Sequence, residues 1–76
     1  MNLINDKKAL FEILQHFRGQ GYSFHDIREL VSELLVYGEI IEFEGNRSKA
    51  SASLGISSPT LNAILNKIER KKNGTN

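Results

Sequence analysis

One proline and the glycine four residues before it constrain the last third of this chain more than any other feature. Pro59 is the only proline in the sequence. A proline holds the residue before it away from helical angles, so Ser58-Pro59 predicts a helix start, with Ser58 as N-cap and Pro59 as first helical residue. Leu61, Ile64, Leu65 and Ile68 then recur at helical spacing. Upstream, Gly55 stands one residue past Leu54, where a helix ends most easily in a left-handed residue. Asn46 is a good N-cap for a helix closing at Leu54, because its side-chain oxygen can accept from an orphan N–H of the first turn. Ala50, Leu54 and Ile56 supply facing apolar surface, and Ser51 is small where the two helices would cross. The stretch 45–67 therefore predicts two short helices and a glycine turn.

The residues carrying this pattern are Gly45-Asn46-Arg47-Ser48-Lys49-Ala50, then Leu54-Gly55-Ile56-Ser57, then Thr60-Leu61. Together they resemble the C-terminal helix-turn-helix of the Fis family, which includes the DNA-binding domains of NtrC-type activators. The resemblance is specific over the last third. Over residues 9–44 it is one of length and apolar pattern. It implies an all-α, four-helix subunit. Two N-terminal helices (5–44) would form an intertwined dimer base, a helix-turn-helix would span 45–70, and 71–76 would be a flexible tail. A competing reading of the same stretch is a helical hairpin in a small bundle with no DNA role.

The size of the chain agrees with a need for a second copy. At 76 residues there is room for one domain, and its core is marginal without help. With no cysteine, disulfides cannot supply that help. The first helix is expected from a cap at Asn5 or Asp6, after a loose lead, to Phe17 or Arg18. Leu10, Ile13, Leu14 and Phe17 form its stripe, and Gly19 and Gly21 stop it. Ser23 and Asp26 have capping-box spacing. The second helix then runs from Phe24 to about Phe43. Its stripe of Ile27, Leu30, Val31, Leu34 and Leu35 widens through Val36, Tyr37, Ile40, Ile41 and Phe43 beyond a single face. The first helix is too short to cover all of that, so the expected dimer interface is Leu10, Ile13, Leu14, Phe17, Ile27, Leu30, Val31, Leu34, Leu35, Tyr37 and Ile41. The alternation Ile41-Glu42-Phe43-Glu44 also reads locally as a strand, but no partner strand is evident. Gly38 inside this helix weakens it, and would allow close backbone approach or a kink.

Charge divides the chain the same way. Residues 1–44 carry four basic and eight acidic side chains, a net of −4; residues 45–76 carry six basic and one acidic, a net of +5. A chain that meets phosphates at one end has this asymmetry. The resemblance then implies double-stranded DNA as a partner. By position, Asn46, Arg47, Ser48 and Lys49 fall where the family contacts phosphates. Ser57, Ser58, Thr60, Asn62 and Ala63 fall on the early recognition helix, with Lys67 further along. Asn62 is the best base-reading candidate, since an amide can pair with adenine N6 and N7. Ser58 reads better as a cap than as a base reader.

The sequence departs from the family just after Thr60-Leu61. Arginine or lysine is usual there, whereas this chain has Asn62, Ala63 and Ile64, and its next cations are Lys67 and Arg70. Binding should then be weaker, or rely more on Arg47, Lys49 and the tail. The family's N-terminal arm has no counterpart, so stimulation of DNA inversion is not carried over. Neither is the ATPase activity of NtrC-type activators.

Other chemistry finds no support in the residues. His16 and His25 lack metal-ligand spacing, and no thiolate is available. Glu29 and Glu33 share a helix face without the cleft that acid–base catalysis needs. No phosphate loop or nucleophile motif is present. The expectation is a protein that is no enzyme, with no cofactor, no metal and no evident small-molecule ligand. No signal peptide or transmembrane segment is read in the sequence, so no membrane association is expected. The resemblance implies a cytoplasmic location, in a bacterial nucleoid or a phage-infected cell. DNA bending by a dimer is likewise implied only by the resemblance. An alternative role is a helical dimer that regulates a protein partner through its acidic half.

Overall fold

The computed structural model describes residues 3–72. Four helices follow one another: α1 Leu3–Gly19, α2 Phe24–Glu42, α3 Arg47–Leu54 and α4 Ser58–Lys72. The chain is all-α, and no strand occurs among the described residues. Residues 41 and 42 complete α2 and 43–45 turn, so the local alternation there is not a strand.

Each of the three turns follows one design. An N–H two or three residues past the helix end donates to a carbonyl five residues back, and the residue before it donates three back. At the end of α3 these bonds are Ile56 N to Ser51 O, 3.1 Å, and Gly55 N to Ala52 O, 3.2 Å. Gly55 takes the left-handed conformation this requires, with φ 72°. After α1 the bonds are Tyr22 N to Phe17 O and Gly21 N to Arg18 O, 3.1 and 3.0 Å. The stop is therefore Gly21, and Gly19 is the last residue of the helix. After α2, Gly45 N reaches Ile40 O at 2.8 Å and Glu44 N reaches Ile41 O at 3.1 Å. Here the left-handed position is filled by Glu44, φ 53°. A glutamate is uncommon there, yet α2 still ends within one residue of the expected Phe43.

Helix starts are less uniform. Ser23 and Asp26 make the full capping box: Asp26 N donates to Ser23 Oγ at 3.1 Å, and Ser23 N to Asp26 Oδ2 at 2.9 Å. Asn46 Oδ1 accepts from Lys49 N at 3.0 Å, the expected cap of α3. Two expectations need correction. The helix α1 begins at Leu3, so Asn5 and Asp6 lie in its first turn rather than capping it. At α4 the cap is Ser57, not Ser58: Ser57 Oγ accepts from Thr60 N at 3.2 Å, and Ser57 O accepts from Leu61 N at 3.0 Å. The proline restriction on Ser58 is a preference, and it yields to a good cap one residue earlier. Ser57→Ala is expected to lower stability by about 1 kcal/mol, against a few tenths at most for Ser58→Ala. Urea denaturation of the two variants checks this, and equal losses would reinstate Ser58 as the cap. At the far end, α4 continues through Lys71 and Lys72, two residues into the stretch expected to be tail; 73–76 lie outside the described residues.

The core sits where α2, α3 and α4 meet. Its buried members are Val36, Ala50, Leu61 and Leu65, with the small polar Ser51 beside them. Around them pack the half-buried Ile40, Phe43, Leu54, Ile56, Ile64 and Ile68. Ser51 satisfies its hydroxyl by donating to Ser48 O at 3.0 Å, so a serine can occupy the crossing without an orphaned group. The widening of the apolar surface late in α2 is thus partly explained within the chain: Val36, Ile40 and Phe43 face α3 and α4.

The helix α1 is different. It contains no buried residue. Its C-terminal end is tied to the turn that follows it, where the Phe17 and Tyr22 rings meet edge to face with centroids 5.2 Å apart and Arg18 donates to the Tyr22 carbonyl. Between α1 and α2 lies an open apolar groove of about 830 Å³, lined by Leu10, Leu14, Phe24, Ile27 and Val31 among others. Of the residues expected at an interface, Leu10, Ile13, Val31, Leu34, Leu35, Tyr37 and Ile41 are exposed, and Leu14, Phe17, Ile27 and Leu30 are half-buried. Nothing in the chain approaches a side chain built at Gly38, and α2 continues through it.

Candidate nucleic-acid interface

The Schellman turn at Gly55 fixes how α3 meets α4, and Leu61 and Leu65 anchor α4 in the core. The first turns of the two helices consequently lie near each other. Arg47, the first residue of α3, donates from Nη1 to Asn62 Oδ1 at 3.0 Å, across fifteen positions of sequence. Lys49 and Ser48 lie on the same exposed first turn. Asn46 is exposed too, but its side-chain oxygen is engaged as the cap. Two positively charged side chains thus flank the helix-start N–H groups of Arg47 and Ser48, while that of Lys49 is taken by the cap, an arrangement that suits an anion.

On α4 the first turn is polar. Ser57 Oγ donates to Thr60 Oγ1 at 2.9 Å while accepting from Thr60 N. That leaves the Thr60 hydroxyl hydrogen directed to other acceptors, since its oxygen is the acceptor in this pair. Ser57, Ser58, Thr60 and Ala63 are exposed, and Asn62 is half-buried. The structure brings Arg47 and Asn62 into direct contact and places Ser57 with Thr60. Lys67 stands apart from that group.

Lys67 faces α2 instead. Its Nζ lies 3.3 Å from Glu29 Oε2, and Lys71 Nζ lies 2.6 Å from Glu33 Oε2 and 3.7 Å from Glu29 Oε1. His25 Nε2 joins the same Glu29 oxygen at 3.2 Å. The hydrogen bond from Lys67 holds the Glu29 carboxyl below the usual glutamate range, against a smaller opposing effect of burial. The hydrogen bond to Glu33 raises Lys71 above its ordinary value. The Ser23 backbone bond lowers Asp26 in the capping box. Exposed pairs of this kind contribute little each, so this ladder matters more for where the lysines point than for stability. A further tie runs from Ser53 Oγ to Glu39 Oε1, 2.9 Å, joining α3 to α2.

The sequence contains the signal for the ladder. Glu29 and Glu33 are four apart on α2, and Lys67 and Lys71 are four apart on α4, so each pair presents one face. Matching the two faces needs the α2–α4 packing, which the sequence does not supply. Among the described residues no group of three or more His, Cys, Asp or Glu side chains is placed to hold a metal ion. No helix among them is long and apolar enough to cross a membrane.

Compared with models of protein families, with curated proteins and with solved structures, the chain matches none of them. What the fold and the site define is a class: an all-α chain of four helices among the described residues, whose last two are joined by the short turn at Gly55, with a cationic first turn on α3.

Proposed function

We propose that this chain is a homodimeric, sequence-preferring DNA-binding protein of Fis-like organisation that bends its target. It would act as a small transcriptional or nucleoid-associated regulator in a bacterial or phage-infected cell. One observation carries the reading: the αL turn at Gly55 sets Arg47 of the α3 first turn against Asn62 of α4, so that cations and polar groups share one exposed surface. The open apolar groove between α1 and α2 supports the dimer, because a second copy of the same helices supplies a matching apolar face. Two copies of α4, one per subunit, would then enter successive stretches of major groove.

Fluorescence anisotropy of a labelled mixed-sequence duplex, measured across a salt series, tests this. Arg47 and Lys49 from two subunits predict a log–log slope of roughly −3 to −4, at about 0.9 per neutralised phosphate. In Glu29→Gln/Glu33→Gln the lysines of α4 lose their partners. Each lysine that turns to phosphate steepens the slope by about 0.9. No binding at low salt, for the native chain and this variant alike, rejects the DNA reading.

A second reading is favoured by the same ladder. With Lys67 and Lys71 paired to α2, the middle and end of α4 present less positive charge to a duplex. A helical dimer that regulates a protein partner would tolerate that arrangement. Its binding would be held by apolar surface and would depend little on salt.

A further inference from the structure

The Arg47–Asn62 bond has a consequence for which base the site reads, if the DNA-binding reading above holds. A guanidinium has five N–H donors and no acceptor. The atom of Asn62 that faces Arg47 at 3.0 Å is therefore the amide oxygen, and the amide nitrogen is turned away from it. The amide is also positioned from below. Leu61, immediately before it, is fully buried, and Leu65, one turn on, completes the anchor. Asn62 itself is half-buried, so its side chain has few other places to go.

An unpartnered asparagine reads adenine with both ends of its amide, accepting from N6 and donating to N7. Here the accepting end is already engaged. Adenine N6 would have to displace the guanidinium or share the oxygen with it. What remains outward is a set of donors only: the two N–H groups of Asn62 Nδ2 and the N–H groups of Arg47 not used on Asn62. Guanine is the purine whose major-groove edge offers two acceptors, N7 and O6, side by side. We propose that Arg47 and Asn62 form one base-reading unit that selects guanine, with Arg47 as the positioning residue that turns the amide.

The test is binding-site selection from a randomised duplex pool, followed by affinities for guanine against adenine at the selected position. The probes are the full native chain, Asn62→Ala, Arg47→Met, Arg47→Gln and the double variant Asn62→Ala/Arg47→Met. Because both duplexes carry the same phosphates, the ratio of the two affinities cancels the backbone share of binding. The native chain is expected to prefer guanine about ten-fold or more. Asn62→Ala and Arg47→Met each abolish the preference, and the double variant loses no more than either alone, as residues acting as a unit should. Arg47→Gln keeps a donor for the Asn62 oxygen, so it retains the preference while binding every sequence more weakly. Selection of adenine, lost in Asn62→Ala and kept in Arg47→Met, overturns the unit in favour of a lone asparagine. Salt-dependent binding without base preference at any position Asn62 influences also overturns it, and leaves the DNA reading standing. Absence of binding at low salt removes both together.

Discussion

Leu34→Glu is expected to turn a dimer into a monomer whose first helix melts. The physical ground is how little the chain buries alone. Among the described residues its buried apolar side chains are Val36, Ala50, Leu61 and Leu65, all of them in the α2–α3–α4 junction. The helix α1 contributes none. Leu34 is 60% exposed, in the middle of an α2 face that also presents Ile27, Val31, Tyr37 and Ile41. If a second copy covers that face, the substitution places a carboxylate in an apolar interface, at a cost above about 3 kcal/mol for each copy. Sedimentation velocity reads the association directly. Thermal unfolding followed by circular dichroism gives a second reading, because the melting temperature of a dimer rises with protein concentration. The native chain should show that rise, and Leu34→Glu should abolish it with a loss of helical signal. A native chain that sediments as a monomer and melts independently of concentration rejects the dimer. In that case Leu34→Glu is a surface change, worth no more than about 0.5 kcal/mol.

The helices and most of their ends were readable because local chemistry decides them. The Ser23–Asp26 box, the Asn46 cap and the left-handed Gly55 are each set by a residue type with a single mechanical role. Legibility failed where two local signals competed. At α4 a proline argued for Ser58 and a hydroxyl one residue earlier won. At the end of α2 a glutamate takes the position for which glycine is the usual marker, yet the helix still ends within one residue of the expected Phe43. The apolar pattern also could not say what covers it. Val36, Tyr37, Ile40, Ile41 and Phe43 read as one broad surface. Only the packing shows that Val36, Ile40 and Phe43 turn towards α3 and α4, while Tyr37 and Ile41 remain exposed.

The candidate site divides the same way. Arg47, Lys49 and Asn62 are candidates by what the resemblance implies for their places relative to Gly55 and Thr60-Leu61. Their relation was not: a bond between residues fifteen apart depends on the turn angle and on side-chain reach. Lys67 shows the opposite case. Its charge and helix position assign it to a duplex, yet it lies 3.3 Å from Glu29. A net charge of opposite sign on the two halves of a chain draws them to each other as readily as it draws one of them to phosphate. Any duplex would compete for Lys67 and Lys71 against carboxylates of the same molecule.

Leu61→Ala is the other substitution with a large expected effect, and it acts at a different place. Leu61 is fully buried and sits between Thr60, which is tied to the Ser57 cap, and Asn62, which is tied to Arg47. Truncating it removes the largest enclosed side chain of the core and leaves a cavity, at a cost of about 2–5 kcal/mol. For a chain this short that is a large share of total stability. Because the cavity lies inside one subunit, the melting temperature should fall by a similar amount at every protein concentration. This separates it from Leu34→Glu, which should remove the concentration dependence itself. Amide hydrogen exchange then locates the damage. Protection should fall first in α4 and the last turns of α3, while the α1–α2 pair of a native-like dimer keeps its own. If α1 and α2 lose protection together with α4, the two halves fold as one cooperative unit. The core around Leu61 would then be what holds the dimer base in place, and the cationic surface of α3 and α4 could not be lost without losing the dimer as well.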